Sequence, residues 1–240
     1  MPGLSIVVPA HNSGPRLRET LQQLVRELDR DDVEVIIVEN GSSDDTWEIA
    51  EELAPGSWGF PVRIFRSEVG LGAAYLKGAS EARGEVALLT ADDLPFGVTD
   101  IRSWESVGDP SALVIGSKAH PGSVVPRSKL RAVMSWGYRF LRRVILGMTV
   151  GDCQGTLFVN RTWLQRHIPL LREHGYLAST EIVHLAQVDR RRVVEVPVVL
   201  QAGHERGGTR IRIADVWDMA VGLIRLRRRR HMLRVALKES

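Results

Sequence analysis

Residues 33–46 read VEVIIVENGSSDDT: an apolar, β-branched run from Val33 to Val38, an acid at Glu39, a turn at Asn40-Gly41-Ser42-Ser43, then Asp44, Asp45 and Thr46. A buried strand that empties into a polar turn and restarts as a helix is the repeating unit of a parallel sheet covered by helices. The next helix runs from about Asp45 to Leu53, with Asp45 and Glu48 at capping-box spacing. Upstream, Leu4–Val8 reads as a strand stopped by Pro9, and Pro15–Leu28 as a helix with Leu17, Leu21, Leu24, Val25 and Leu28 on one face. Downstream come a strand at Val62–Phe65, a helix at Gly72–Ala82 opened by Gly70-Leu71-Gly72, and a strand at Val86–Leu89. That last strand enters the acidic turn Thr90-Ala91-Asp92-Asp93. The fold class is therefore α/β: one domain, a mostly parallel central sheet, and helices on both faces. Ligands of such sheets bind beyond the carboxyl ends of the strands. Pro9–Ser13, Glu39–Ser43 and Ala91–Asp93 are thus expected to meet in one crevice.

The second half is less regular. A strand is expected at Leu113–Ser117 and a basic amphipathic helix at Leu130–Ile145, with Leu130, Val133, Met134, Gly137, Phe140, Leu141, Val144 and Ile145 along one side. A strand at Thr156–Val159 and helices at Arg161–Glu173 and Thr180–Val188 follow. Val193–Leu200 reads as a strand whose Pro197 marks an edge or an end. After a Gly-rich loop at 201–209, a terminal helix runs from Ile211 and ends in Arg227–Arg230.

The chain has 240 residues, 44% hydrophobic and 25% charged, the composition of one globular domain. No stretch approaches the roughly 18 apolar residues of a membrane span, and the first residues lack a signal-peptide pattern. The single cysteine, Cys153, excludes an intrachain disulfide and a cysteine-based zinc site. The net charge of +3 conceals a split: residues 1–120 carry 10 Lys+Arg against 20 Asp+Glu, and residues 121–240 carry 22 against 9. Acidic residues suit a cation and basic ones an anion or anionic surface, although two solvated faces of opposite sign would look the same.

The order of the loops resembles family 2 glycosyltransferases of GT-A type, and among them the polyprenyl-phosphate enzymes related to dolichyl-phosphate mannose and glucose synthases. Four motifs in order carry the resemblance. PxYNE appears as Pro9-Ala10-His11-Asn12-Ser13, and VDDGSxDxT as Val38 to Thr46. NxGLGAAxxxG appears as Glu68 to Ala74 with Gly78, and ARGxxxxxxDADLP as Ala82-Arg83-Gly84 through Asp93-Leu94-Pro95. The resemblance implies a single GT-A, Rossmann-like domain. Residues 1–120 would form the nucleotide-sugar and metal half, 121–212 the acceptor half, and 213–240 a basic amphipathic terminal helix. It also implies transfer of a sugar, with inversion, from a UDP- or GDP-linked donor to a polyprenyl phosphate.

A sugar diphosphate needs a divalent cation because adjacent phosphates repel and the leaving group gains charge. Mg2+ or Mn2+ prefers carboxylate oxygens, and Asp92 and Asp93 are the candidate ligands, with Asp93 also counted as catalytic. For a lone Asp-Asp pair a turn or helix cap is the ordinary alternative. The resemblance places Glu39 on the nucleoside, lets Pro9, Ala10 and Asn12 line the base, and adds Gly41, Ser42 and Gly72 to the donor site. The sequence also departs from the family. DAD becomes Ala91-Asp92-Asp93, Glu replaces Asp at 39, Asn replaces Asp at 40, Ser13 stands for Glu, and His11 for the aromatic. Either the metal and base arrangement is shifted or catalysis is lost; the preserved acid count favours the first.

On the acceptor side the family pattern continues in Gly116-Ser117-Lys118, Arg127 and Arg131, Gly151-Asp152-Cys153-Gln154, Glu195-Val196-Pro197-Val198 and Arg206-Gly207-Gly208-Thr209-Arg210. Arg127, Arg131, Arg206 and Arg210 suit phosphate oxygens, because a guanidinium fork binds them bidentately. A phosphate monoester is largely a dianion at neutral pH and needs no strong base. Asp152 is the candidate base if the acceptor is a hydroxyl. Glu181 matches a family Glu and equally a helix-start acid. The histidines show no metal-ligand spacing, and Cys153 reads as a small buried side chain. The helices at 130–145 and 213–230 pair apolar faces with arginines, the pattern of an interfacial helix on an anionic membrane and also of a core stripe with a solvated face. The expected location is cytoplasmic, peripheral at the inner face of the membrane or reliant on a membrane-protein partner, with no nucleic acid bound. Alternatives are transfer to a soluble or glycan hydroxyl, and a degenerate nucleotide-sugar-binding protein without turnover.

Overall fold

The computed structural model describes residues 3–126, 129–201 and 213–239; side chains are described for these apart from 129–131, 213–218 and 239. Among the described residues, seven strands form one sheet: β1 (Leu4–Ala10), β2 (Val33–Glu39), β3 (Val62–Arg66), β4 (Val86–Leu89), β5 (Leu113–Gly116), β6 (Thr156–Asn160) and β7 (Val193–Val196). Their order is β3-β2-β1-β4-β6-β5-β7. Only β6 is reversed, running antiparallel to both neighbours, β4 and β5. The helices are α1 (Gly14–Glu27), α2 (Thr46–Leu53), α3 (Leu71–Glu81), α4 (Thr99–Glu105), α5 (Lys129–Leu146), α6 (Arg161–His167), α7 (Ala178–Val188) and α8 (Ile213–Glu239).

Alternation along the strands divides the apolar residues between two layers. Leu4, Ile6 and Val8 of β1 pack with Leu17, Leu21 and Leu24 of α1, Ala50 and Leu53 of α2, and Ile101 of α4. Val7 faces the other way, toward Ala74 and Tyr75 of α3, Ile182 of α7 and Leu223 of α8. Each fully buried Leu contributes about 1.5–3 kcal/mol of transfer free energy. Gly78 is required where α3 crosses β1, because a Cβ there would come within 2.2 Å of Val7.

Several boundaries differ from the sequence reading. Pro9 does not stop β1, which continues to Ala10 in register with Glu39. Residues of a parallel strand turn alternately to each neighbour: Val7 C=O accepts from Thr90 and Ala10 C=O from Asn40. Pro9 therefore faces the β4 side, where that strand has already ended, and its missing N–H costs no ladder bond. The expected capping box of α2 does not form: Asp45 makes no side-chain cap, and Asp44 instead accepts the Thr46 N–H at 3.1 Å. α6 stops at His167, ahead of a 3-10 turn at Ile168–Leu170 that contains Pro169. β7 lies at the sheet edge and ends one residue before Pro197. α4 has no counterpart in the sequence reading, being two turns long and too short to show a period. α8 does not end at the arginine run but continues to Glu239.

Candidate active site

The loops after β1, β2 and β4 leave the same edge of the sheet, as the sequence predicts, and side chains bind them together. Ser42 Oγ accepts the Asn12 N–H at 3.1 Å, and Asn12 Oδ1 accepts the Ser43 N–H at 2.9 Å. Thr46 Oγ1 accepts the N–H groups of Ser13 and Gly14 at 2.8 and 3.0 Å. Gly41 has φ +81°, and a Cβ there would press within 2.4 Å of Val69. Glu39 ends β2 almost buried, with one carboxylate oxygen receiving the Ser42 N–H and the other 3.8 Å from Arg66 Nε. Arg66 in turn lies over the Trp47 ring at 4.0 Å. Sequence reasoning missed Arg66, because only the pairing of β2 with β3 sets it opposite Glu39. Pro9 and Ala10 are buried, with the Ala10 side chain in the core layer beneath α1 and α2. Asn40 is buried beside them, and its Oδ1 has no protein partner.

Asp92 and Asp93 follow β4 at the centre of this edge. Asp92 is buried, and its Oδ2 accepts from the Ser13 hydroxyl and from Arg16, the latter at 3.1 Å. Its backbone C=O accepts from Thr20 Oγ1 at 2.5 Å. Asp93 is half-buried. Below the pair, the Tyr75 hydroxyl donates to the Thr90 C=O at 3.0 Å. Burial, and then the charges of Asp92 and Asp93, push this phenol far above its ordinary pKa, so it stays protonated. A hard divalent cation held by a carboxylate of this turn would need its other ligands from a diphosphate and water. Among the described residues no group of three or more His, Cys, Asp or Glu side chains is placed to hold a metal ion unaided.

The fourth wall is the turn Gly151–Gly155, which the reversal of β6 delivers to the same edge. Glu195 of β7 organises it: Oε1 accepts from Ser117 Oγ and the Asp152 N–H, and Oε2 accepts the Gly151 N–H at 2.7 Å. Asp152 Oδ1 receives the Gln154 N–H at 2.8 Å, and Oδ2 the Lys118 N–H at 3.1 Å with the Lys118 ammonium 3.6 Å away. Burial would raise the Asp152 carboxyl, but Lys118, the two backbone N–H groups and Arg142 outweigh it and hold the acid below its ordinary value. Asp152 is an ionised, well-held group and a weak base. Cys153 is buried as expected, next to the Arg142 guanidinium, and burial pushes its thiol up to about 12.

Gly72 uses its N–H internally, donating to the His174 C=O at 2.7 Å, and a Cβ on it would come within 2.5 Å of Glu173 O. Glu181 is buried and joins three segments. Its Oε2 accepts the N–H groups of Arg172 and Glu173 at 2.8 Å each, and its Oε1 meets Arg229 of α8 at 2.7 Å. Arg225 pairs with Glu173 at 3.1 Å, and Arg227 donates to the Ile145 C=O at 2.8 Å. Much of the arginine run thus fastens α8 to the body. Arg127, Arg206 and Arg210 lie outside the described residues, and Arg131 is described only as a position in α5.

Comparison with known proteins bears on this edge directly. The profile of Glycosyl transferase family 2 matches residues 5–168, a span containing all four crevice loops. Over 92% of its length the chain is 28% identical to a dolichyl-phosphate beta-glucosyltransferase of Trichomonas vaginalis, covering 70% of that protein. It is also 28% identical, over 81% of its length, to the human dolichyl-phosphate beta-glucosyltransferase, of which it spans 66%. Among solved structures, Mycobacterium tuberculosis glucosyl-3-phosphoglycerate synthase, crystallised with Mn2+, UDP-glucose and phosphoglyceric acid, superposes with a TM-score of 0.64. The identity is 18%, with 95% of this chain and 79% of that one covered. At that identity the likeness is one of fold, which is GT-A.

Proposed function

Because the chain belongs to glycosyl transferase family 2, we propose that it moves a hexose, with inversion, from a nucleoside-diphosphate sugar to a polyprenyl phosphate at a membrane surface. The observation that carries this reading is the meeting at one sheet edge of two different walls. One is acidic and made by the β1, β2 and β4 loops around Asp92 and Asp93. The other is the Gly151–Gly155 turn, with Lys118 and an ionised Asp152. The dolichyl-phosphate acceptors in the names of the relatives support the lipid half of the proposal.

Glu39, fixed by Ser42 and Arg66, would face the nucleoside, with the Asn12 and Ser42 loops beside it. Asp93, aided by Asp92, would hold Mg2+ or Mn2+, which when bound offsets charge growing on the departing diphosphate. An oxygen of the acceptor phosphate forms the new bond to the anomeric carbon as the bond to the diphosphate oxygen breaks, and the nucleoside diphosphate leaves. A phosphate monoester has its second ionisation near pH 6 and supplies its own electron pair. That suits Asp152, whose carboxyl is held below its ordinary value and is a weaker base than an unperturbed aspartate. Lys118, whose ammonium donates to the Gln154 C=O at 2.7 Å and lies 3.6 Å from Asp152, would hold the phosphate, with Arg127, Arg131, Arg206 and Arg210 as further candidates.

The test is nucleotide release from a donor panel headed by UDP-glucose and GDP-mannose, with Mn2+ or Mg2+ and a short, water-soluble polyprenyl phosphate. Release that requires the lipid phosphate is expected. Release driven equally well by a simple alcohol or glycan, or donor binding without release under any acceptor, overturns the proposal.

A further inference from the structure

Helix α5 is packed inside out. Its apolar stripe does not enter the core: Val133, Trp136, Phe140 and Val144, one or two turns apart on one side, are 65%, 64%, 54% and 62% exposed. The side turned inward carries Tyr138, Arg142 and Leu146 instead, and Arg142 is only 2% exposed. Desolvating a guanidinium while leaving a tryptophan and a phenylalanine in water is unfavourable on both counts for a protein surrounded only by solvent. Trp136 and Phe140 stack, ring centroids 5.8 Å apart, and form one aromatic wedge.

Helix α8 packs against α5 and extends this surface. Leu223, Leu226 and Leu233 are buried, and the opposite face shows Val221, Ile224, Met232 and Val235. Arg228 and His231 are exposed among them. Charge selects the occupant. Neither 129–146 nor 219–238 contains an acid, and together the two segments carry twelve Lys and Arg. Of the arginines near this face, Arg225, Arg227 and Arg229 are engaged with the body, whereas Arg143 and Arg228 are exposed. Apolar and aromatic groups interspersed with cations and free of carboxylates match the boundary of an anionic bilayer, where the rings enter the headgroup layer and the cations meet lipid phosphates.

We propose that the paired outer faces of α5 and α8 form a docking surface for an anionic bilayer, with Trp136 and Phe140 as the inserted wedge. The buried Arg142 explains how docking reaches the site. Its guanidinium donates to the Gly151 C=O at 3.1 Å and contacts Cys153, so the helix on the membrane is fixed to the Gly151–Gly155 turn. The proposal rests on the polyprenyl-phosphate reading for its purpose and stands on the two helices for its evidence.

Flotation with vesicles of phosphatidylcholine alone and of phosphatidylcholine with phosphatidylglycerol tests it. The wild-type chain should float with the anionic vesicles and about tenfold less with the neutral ones. Trp136→Ser with Phe140→Ser should lower anionic binding about tenfold or more, and Arg143→Glu with Arg228→Glu should weaken it and reduce its dependence on salt. All four positions are exposed, so the unfolding midpoint should hold. Turnover of the water-soluble short acceptor without vesicles should also be unchanged in both variants, which separates docking from chemistry. Failure of that turnover in the wild type refutes the acceptor reading and leaves the docking result standing. Vesicle binding that is absent, or indifferent to both variants, overturns the docking surface. So does a wild-type dimer in sedimentation that the Trp136→Ser, Phe140→Ser variant dissociates, since the face would then be covered by a second copy.

Discussion

The hydroxyl of Ser13 donates to the Asp92 carboxylate, joining the loop after β1 to the loop after β4. The family motifs have a Glu at position 13 and an Ala at position 92; here the hydroxyl stands at 13 and the acid at 92. Asp92 therefore reads first as a brace for the start of α1, which leaves Asp93 as the principal candidate for the cation. Asp92→Ala strands Ser13 and Arg16 and should cost about 1–3 kcal/mol of unfolding free energy. Moving the acid to position 13, Ser13→Glu with Asp92→Ala, should recover much of that loss in the same thermal or urea titration. Asp93→Ala should instead remove the cation-stimulated part of nucleotide release.

Arg229 and Glu181 meet at 2.7 Å with the carboxylate buried. Removing the guanidinium leaves a charge in the interior with only backbone N–H partners. Arg229→Ala should therefore destabilise by about 3 kcal/mol, read as a lowered denaturation midpoint. Glu181→Gln added to Arg229→Met should recover part of it, because no charge is left unpaired.

Glu195 receives the Gly151 and Asp152 N–H groups and the Ser117 hydroxyl but belongs to no reacting group. Glu195→Ala should lower kcat/KM for the acceptor by about 10–100-fold while the donor KM stays near the wild-type value. Glu195→Gln, which keeps one acceptor oxygen, should fall between. Equal losses for donor and acceptor would show that Glu195 supports the fold alone.

Burial lifts the Asp100 carboxyl to about 6, and burial with Arg230 and Arg234 lowers the His184 imidazole to about 4. Folded Asp100 holds its proton more tightly than the unfolded chain does. Its contribution is present below the ordinary value of 3.8 and lost as pH rises through about 6. Folded His184 refuses a proton that the unfolded chain accepts. Its contribution is present above the ordinary 6.5 and lost as pH falls through about 4. Between these limits the two slopes oppose, each approaching about 1.4 kcal/mol per pH unit. Asp100→Asn should leave a stability that climbs with pH across the window, and His184→Leu one that falls. Denaturant titrations at several pH values resolve both slopes.

The periodicity of the first half made β1 to β4 and α1 to α3 legible, because apolar runs bounded by Pro, Gly and Asp admit one reading. The convergence of the loops followed from parallel topology alone. Helix α5 was legible as a helix and not as to which side it buries: the stripe from Val133 to Val144 has the spacing of a core face, and only the placement of Arg142 and Tyr138 shows it turned outward. The arginines of α8 were equally ambiguous. A run of basic residues does not say which of them, like Arg229, has a buried carboxylate waiting on another element. Arg66 and the cage of Glu195 depend on contacts between strands far apart in sequence, and no local pattern reports those.

The reversal of β6 has a consequence for how such a chain can change. Gly116 and Thr156 lie opposite one another where β5 ends and β6 begins. Everything from Ser117 to Gly155, α5 included, is one excursion that departs from and returns to a single point of the sheet. The segments joining β1 to β4 must each cross a face to reach the next parallel strand, so their lengths are tied to the thickness of the layers. The excursion has no such span to cover, and its closure entropy grows only slowly with length. Its length can therefore change with the strand register of β1 to β4 left in place, provided the contacts of α5 with α8 and of the Gly151–Gly155 turn with Glu195 are kept.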